Sequence, residues 1–265
     1  MSRQLSVVAS PEADAAGAVA QVIASLPVSL RPGTGAADLA AVSGANWAQD
    51  ASAAAAGGAA GIMIVNPAAT DAGRLDADMS GIEVPVVVDS TWSHNPAVAA
   101  AAPHFAALRE RGEPAAFESR VDVPVRSDLE QVLLAQLALV RAAVEPVASL
   151  TVDRWNEQGY DIRATLAGGA SIALAAVLTN GLPTSASLRA LSRHNAVRLH
   201  LPDPATATCG TVTVSGPDGA TVLPTLWETP HRSAWRELHR RVTDGESTSE
   251  LDELVADIAT LRTAR

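Results

Sequence analysis

Apolar residues in the first hundred positions fall in short runs separated by segments with helical spacing. Leu5–Ala9, Val28–Leu30, Ile62–Val65 and Val84–Val88 read as buried strands. Between them, Ala13–Ser25 carries Val19, Val22 and Ile23 at helical spacing, with Leu26 completing the stripe. Ala36–Val42, Asp50–Ala56 behind Trp47, Ala72–Met79 and Pro96–Glu110 are Ala-rich and predict further helices. Strands that are apolar on both faces and alternate with helices predict a parallel sheet covered on both sides.

The rhythm changes near 112–119, and 1–118 and 119–265 are read as two domains. Ser127-x-x-Glu130 has the form of a capping box ahead of a helix with Leu129, Val132, Leu133, Leu137 and Val140 on one face. Ser149–Arg154, Tyr160–Leu166, Ser171–Leu178, Ala196–Leu201, Gly210–Ser215 and Ala220–Leu223 then suit antiparallel strands. Ser215–Gly219 is a hairpin turn in which Gly219 is free to take positive φ. Helices at His231–Val242 and Ser249–Thr263 close the chain, the latter behind a second capping box, Ser247-x-x-Glu250. In Ser171–Leu178 both faces are apolar, so one is expected to lie under the protein's own helix and the other under a partner.

Charge and composition remove several functions. The net charge of -10 argues against general affinity for nucleic acid or an anionic membrane. All 19 basic residues are arginine, which excludes every mechanism that needs a lysine. The one cysteine, Cys209, leaves no internal disulfide or cysteine-rich zinc site and reads as a small apolar filler. No secretory signal and no bilayer-length apolar run stand out, so a cytoplasmic protein is expected.

This order of parts resembles the glucose–fructose oxidoreductase / inositol dehydrogenase / MocA family of NAD(P)-dependent sugar and polyol dehydrogenases. Ile62–Pro67 looks like the family strand that ends in a Thr-Pro or similar pair. Val84–Trp92 looks like the strand carrying its Glu-Lys-Pro motif, and Ser171–Leu178, Arg189–Leu201 and the 210–223 hairpin look like its C-terminal sheet. The resemblance implies an α/β fold: a degenerate Rossmann-like parallel-sheet domain, then an α+β domain with a mostly antiparallel sheet that supports oligomers.

The functional motifs depart from that pattern. A dinucleotide site wants G-x-G-x-x-G after the first strand, so that backbone approaches the pyrophosphate. Ala9, Pro11 and Asp14 stand at the three glycine positions, with Glu12 between them. Pro11 offers no N–H, and two carboxylates at the helix start satisfy the helix without a ligand. No cofactor is therefore expected. Arg31, after the second strand, favours NADP if a nucleotide does bind. At the Glu-Lys-Pro position stand Asp89, Ser90 and Thr91. The family's glycine-rich segment with Asp-x-x-x-His is missing, since Thr151–Trp155 passes to Tyr160–Leu166 through 156–159 alone.

Two readings stay open. One is a non-catalytic binding or partner subunit, in a homo-oligomer or beside a paralogous dehydrogenase. The other is an NAD(P)-dependent oxidoreductase acting on a sugar or polyol with atypical cofactor binding. Any remaining chemistry is expected at the carboxyl end of the Val84–Val88 strand, where open α/β sheets leave a crevice. Asp89 and His94 are the candidate catalytic pair there, with His104 nearby. His94 is the proton-transfer group by virtue of its near-neutral ordinary pKa. Ser90, Thr91, Trp92 and Trp155 are the candidate contacts for a small carbohydrate or polyol. His231, Trp235 and His239 share one helical face, but two helical turns separate the histidines, too far for one zinc. That face reads as an interdomain or subunit contact. The remaining tryptophans, Trp47 and Trp227, read as core or interface residues.

Overall fold

The computed structural model describes residues 4–69, 79, 81–110, 116–206 and 208–263. Contacts group 1–91 with 231–258 as one unit, and 92–230 with 259–265 as the other. This grouping does not follow the 118/119 boundary: the chain crosses at Thr91–Trp92 and returns at Pro230–His231. The expected helix at 72–79 lies outside the described residues, except for Met79.

The first unit is built on a parallel sheet of β1 (Leu5–Ala9), β2 (Leu30–Pro32), β3 (Leu39–Val42), β4 (Gly61–Val65) and β5 (Val86–Asp89), in the order β2-β1-β3-β4-β5. One face is covered by α1 (Pro11–Gly17), α2 (Val19–Ala24) and α6 (Pro230–Asp244). There Val7, Met63, Val65 and Val87 meet Ala13, Val19, Ile23, Trp235 and Leu238 in one buried cluster. On α6, Trp235 is therefore a core residue rather than a contact for another subunit. Helix α3 (Trp47–Ala56) packs against β3 and β4.

Two local expectations are corrected here. Ala36–Val42 is not a helix; its second half is β3, hydrogen-bonded between β1 and β4. Four apolar residues cannot tell helix from buried strand, and sheet pairing overrides the propensity of Ala. Ala13–Ser25 is not one helix either. The chain turns at Ala18 (φ 47°), and the Asp14 carboxylate accepts from Ala20 N at 2.7 Å to start α2.

The second unit holds an eight-stranded sheet. Its strands are β6 (Ala116–Val123), β7 (Val147–Asn156), β8 (Gly159–Leu166), β9 (Ser171–Leu178), β10 (Ser185–Leu191), β11 (Ala196–Pro202), β12 (Thr211–Gly216) and β13 (Gly219–Val222). They run in the order β13-β12-β11-β10-β6-β9-β8-β7, with only the β6–β9 pair parallel. Gly219 has φ 128° in the β12–β13 turn, as expected. Helices α4 (Pro96–Glu110) and α5 (Leu129–Ala143) pack against this sheet. Ile172, Leu174 and Ala176 are buried, as are Val197, Leu199 and Leu201, while the alternate residues form an open face.

That open face is polar overall, which corrects the expectation of a second apolar face. Beside Ala173 and Ala175 run the ion pairs Arg189–Glu118, Arg120–Asp122, Arg163–Asp153 and Arg154–Asp161. Neither capping box forms as the spacing predicts. Asp128, not Ser127, caps α5, accepting from Glu130 N at 2.8 Å. The Glu250 carboxylate instead accepts from Val88 N at 2.8 Å and from Arg241 at 2.7 Å, satisfying β5 ahead of α7 (Leu251–Arg262). No helix among the described residues is long and apolar enough to cross a membrane.

Candidate functional site

The parallel sheet changes direction of growth between β1 and β3, so the crevice for a ligand lies at the carboxyl ends of those strands. Ser10 leaves β1 with its N–H donating to Ala41 O at 2.9 Å. Its Oγ accepts from Ala13 N at 3.1 Å, and its carbonyl accepts from Asp14 N at 3.0 Å. Pro11, at the first helical position, contributes no donor. A methyl group at Gly44, just past β3, would stand 3.6 Å from Glu12 Cγ, so the Glu12 stem lies over the end of that strand. The turn is closed by its own side chains and carries negative charge. These residues do not fit a pyrophosphate.

Gly17 takes the helix–strand packing task that the glycine fingerprint places at position 14. A Cβ there would fall 2.6 Å from Val65 Cγ1, so α1 can lie this close to β4 only with glycine. Gly17 is the sole glycine among the first thirty residues, a signal that fixed motif spacing concealed.

The carboxyl ends of β4 and β5 hold the most organised polar cluster of the first unit. Asp89, the last residue of β5, is 1% exposed. Its Oδ2 lies 2.6 Å from Nδ1 of His231, whose side chain is 12% exposed. Burial by itself would lower the His231 pKa; the charge and hydrogen bond of Asp89 outweigh it and raise the value above the ordinary one. Asp89 Oδ1 and the hydroxyl of buried Ser90 find no hydrogen-bond partner among the described residues. Next to them Asn66 (φ 42°) and Thr91 (φ 38°) both hold left-handed backbone. Asn66 Oδ1 accepts from Thr91 N at 3.0 Å and Thr91 Oγ1 at 2.8 Å, and its Nδ2 donates to Ala16 O at 3.0 Å. Two strained residues over-determined by side-chain hydrogen bonds mark a constrained site.

The partner of Asp89 is thus His231, at the start of α6, and not His94. His94 is half-buried and belongs to the second unit, as do Trp92, Trp155 and His104. Trp92 is 2% exposed and presents no open indole wall. Trp155 is 39% exposed and stacks on Tyr160 with ring centroids 5.2 Å apart. The β7–β8 hairpin closes directly between Asn156 and Gly159. In the same unit, buried Tyr160 donates to Gln136 Oε1 at 2.6 Å, and Gln136 Nε2 donates to Ser119 Oγ at 2.9 Å. Desolvation raises the Tyr160 pKa well above its ordinary value, so the phenol is neutral and acts as a donor. Arg31 is an exposed residue within β2. Among the described residues no group of His, Cys, Asp and Glu side chains could hold a metal ion.

No protein-family model matches the chain, and no curated protein matches it in sequence. Solved structures do. KijD10, a 3-ketoreductase from Actinomadura kijaniata in complex with NADP and TDP-benzene, is 16% identical, over 99% of this chain and 89% of that one, with TM-score 0.67. Levoglucosan dehydrogenase in complex with NADH and L-sorbose is 12% identical, over 99% and 97%, with TM-score 0.74. An oxidoreductase from Agrobacterium radiobacter in complex with NAD+, L-tartaric acid and magnesium is 15% identical, over 98% and 87%, with TM-score 0.65. At such identities the likeness is one of fold: this chain is built on the two-part fold of NAD(P)-linked oxidoreductases, a Rossmann-like parallel sheet followed by a mostly antiparallel one.

Proposed function

We propose that this chain is a non-catalytic binding or partner subunit on an oxidoreductase fold, one that does not hold a dinucleotide at its first βα turn. The observation that carries the reading is that turn. Ser10 closes it, Pro11 lacks a donor, and Glu12 and Asp14 bring negative charge to the place two phosphates would need. The lack of any lysine supports it from the side of the chemistry. Its assembly is a homo-oligomer, or a hetero-oligomer with a paralogous dehydrogenase. A small carbohydrate or polyol is the ligand class, supported by L-sorbose in the levoglucosan dehydrogenase complex. Calorimetric titration with NADH and NADPH tests the reading. No heat of binding is expected up to millimolar cofactor, and a dissociation constant below about 100 μM, or ~5.5 kcal/mol of binding, overturns it.

One observation favours a second reading, an NAD(P)-dependent oxidoreductase with an atypical cofactor site. An imidazole oriented through Nδ1 by a buried carboxylate is a proton-transfer arrangement, and the Asp89–His231 pair has that form. NADP is the cofactor under that reading, with Arg31 as the candidate contact for its 2′-phosphate. The same titration separates the two.

A further inference from the structure

The open face of the eight-stranded sheet carries a groove of about 610 Å³ with an uneven charge. Two rows of registered residues cross it. In the first, Arg198 of β11 stands directly opposite Arg189 of β10, which stands opposite Glu118 of β6. In the second, His200 is opposite Ser187, which is opposite Arg120. Arg189 Nε donates to Glu118 Oε2 at 2.7 Å, and Arg120 Nη2 donates to Asp122 Oδ1 at 2.9 Å. Arg198 forms no ion pair with any described residue. Its cross-strand neighbours are a second arginine and Thr213.

Like charges directly opposite one another in an antiparallel pair destabilise the sheet. The Arg189–Arg198 juxtaposition therefore costs stability in a chain whose net charge is -10, where acidic residues are plentiful. Among the described residues Ser187, which lines the groove, reaches only Arg120 O, at the long limit of 3.4 Å. The Arg198 guanidinium fork, the remaining N–H groups of Arg189 beside its Glu118 pair, a hydroxyl and an imidazole N–H line one concavity and match the oxygens of a phosphate or carboxylate. The groove volume suits a small molecule.

We propose that this groove is an oxyanion-binding site, with Arg198 as its principal anchor and Ser187, Arg189 and His200 as supporting donors. The ligand is a small molecule carrying a phosphate or a carboxylate, and its charge offsets the repulsion between Arg198 and Arg189. This inference is independent of the subunit reading, since it needs neither a partner nor a dinucleotide.

The test is calorimetric titration of the full chain at low ionic strength with inorganic phosphate, citrate and, as a neutral control, sorbitol. Binding of phosphate or citrate with a dissociation constant of about 1 mM or tighter is expected, weakening as salt is added. The stronger of the two identifies the headgroup. Arg198→Ala should weaken binding about tenfold, the loss of charge-assisted hydrogen bonds. Arg126→Ala, the same change of net charge at an exposed loop, should leave it within about twofold. Without ligand, Arg198→Ala should melt at the same temperature as the parent or higher, where a structural arginine would melt lower. Failure of both anions to bind, or equal weakening by the two variants, overturns the proposal. So does a groove that is silent because the protein self-associates over it, shown by light scattering.

Discussion

Asp89→Asn gives the sharpest test of the buried pair. The substitution keeps the shape of a side chain that is 1% exposed and removes only its charge. What is lost is a hydrogen bond between two charged groups at 2.6 Å. Such bonds contribute roughly 1.5–3 kcal/mol, so about 2 kcal/mol is expected near pH 6, where His231 is protonated. The sign of the pH dependence follows from the direction of the shift. His231 has its folded pKa raised, so the stabilisation is fully present below its unfolded value of about 6.5 and is lost as pH rises through the folded value. Without Asp89, burial alone acts and depresses the His231 pKa, so the slope reverses: the variant loses stability as pH falls through about 6.5. Urea denaturation across this range measures the stabilities, and NMR titration of the His231 ring protons measures the midpoints. A parent midpoint at or below the ordinary value, or stability curves that slope the same way in both proteins, would refute the reasoning.

Ser90→Ala should raise stability by about 1 kcal/mol, because it removes a buried hydroxyl that has no partner among the described residues; a lower melting temperature would show that the hydroxyl is bonded. Gln136→Leu should cost about 2–3 kcal/mol in denaturant titration, since it strands both the Tyr160 hydroxyl and Ser119 in the core. A cost below that of an ordinary surface change would mean that the network contributes nothing.

Much of the fold is legible in the sequence because burial leaves a periodic trace. Helix α4 runs from Pro96 to Glu110 as its composition predicts, and β8, β9 and the β12–β13 hairpin fall where alternation and turn residues place them. Strand β6 escapes for a physical reason. In β6 the inward residues are Phe117, Ser119, Val121 and Val123, and the polar Ser119 interrupts the apolar alternation. Ser119 is tolerated there because Gln136 reaches it from α5, a pairing 17 residues away that no local pattern reveals. β3 is misread for the opposite reason: its Ala content fits a helix, and only its neighbours in the sheet make it a strand.

The site is less legible than the fold because its parts are separable. Asp89 is recognisable as a residue at a strand's carboxyl end, but its partner lies 142 positions later, so sequence proximity favours His94 and geometry selects His231. The first βα turn makes the same point in another way. A glycine fingerprint combines two tasks, letting backbone approach phosphate and letting a helix approach a strand. In this chain the second task survives at Gly17, where α1 meets Val65. At the place of the first stand Ser10, Pro11 and Glu12, and the Ser10 side chain caps the helix start. Helix docking on the sheet therefore does not depend on a phosphate cradle: the close approach of α1 to β4 at Gly17 stands beside a turn closed by Ser10 and Pro11.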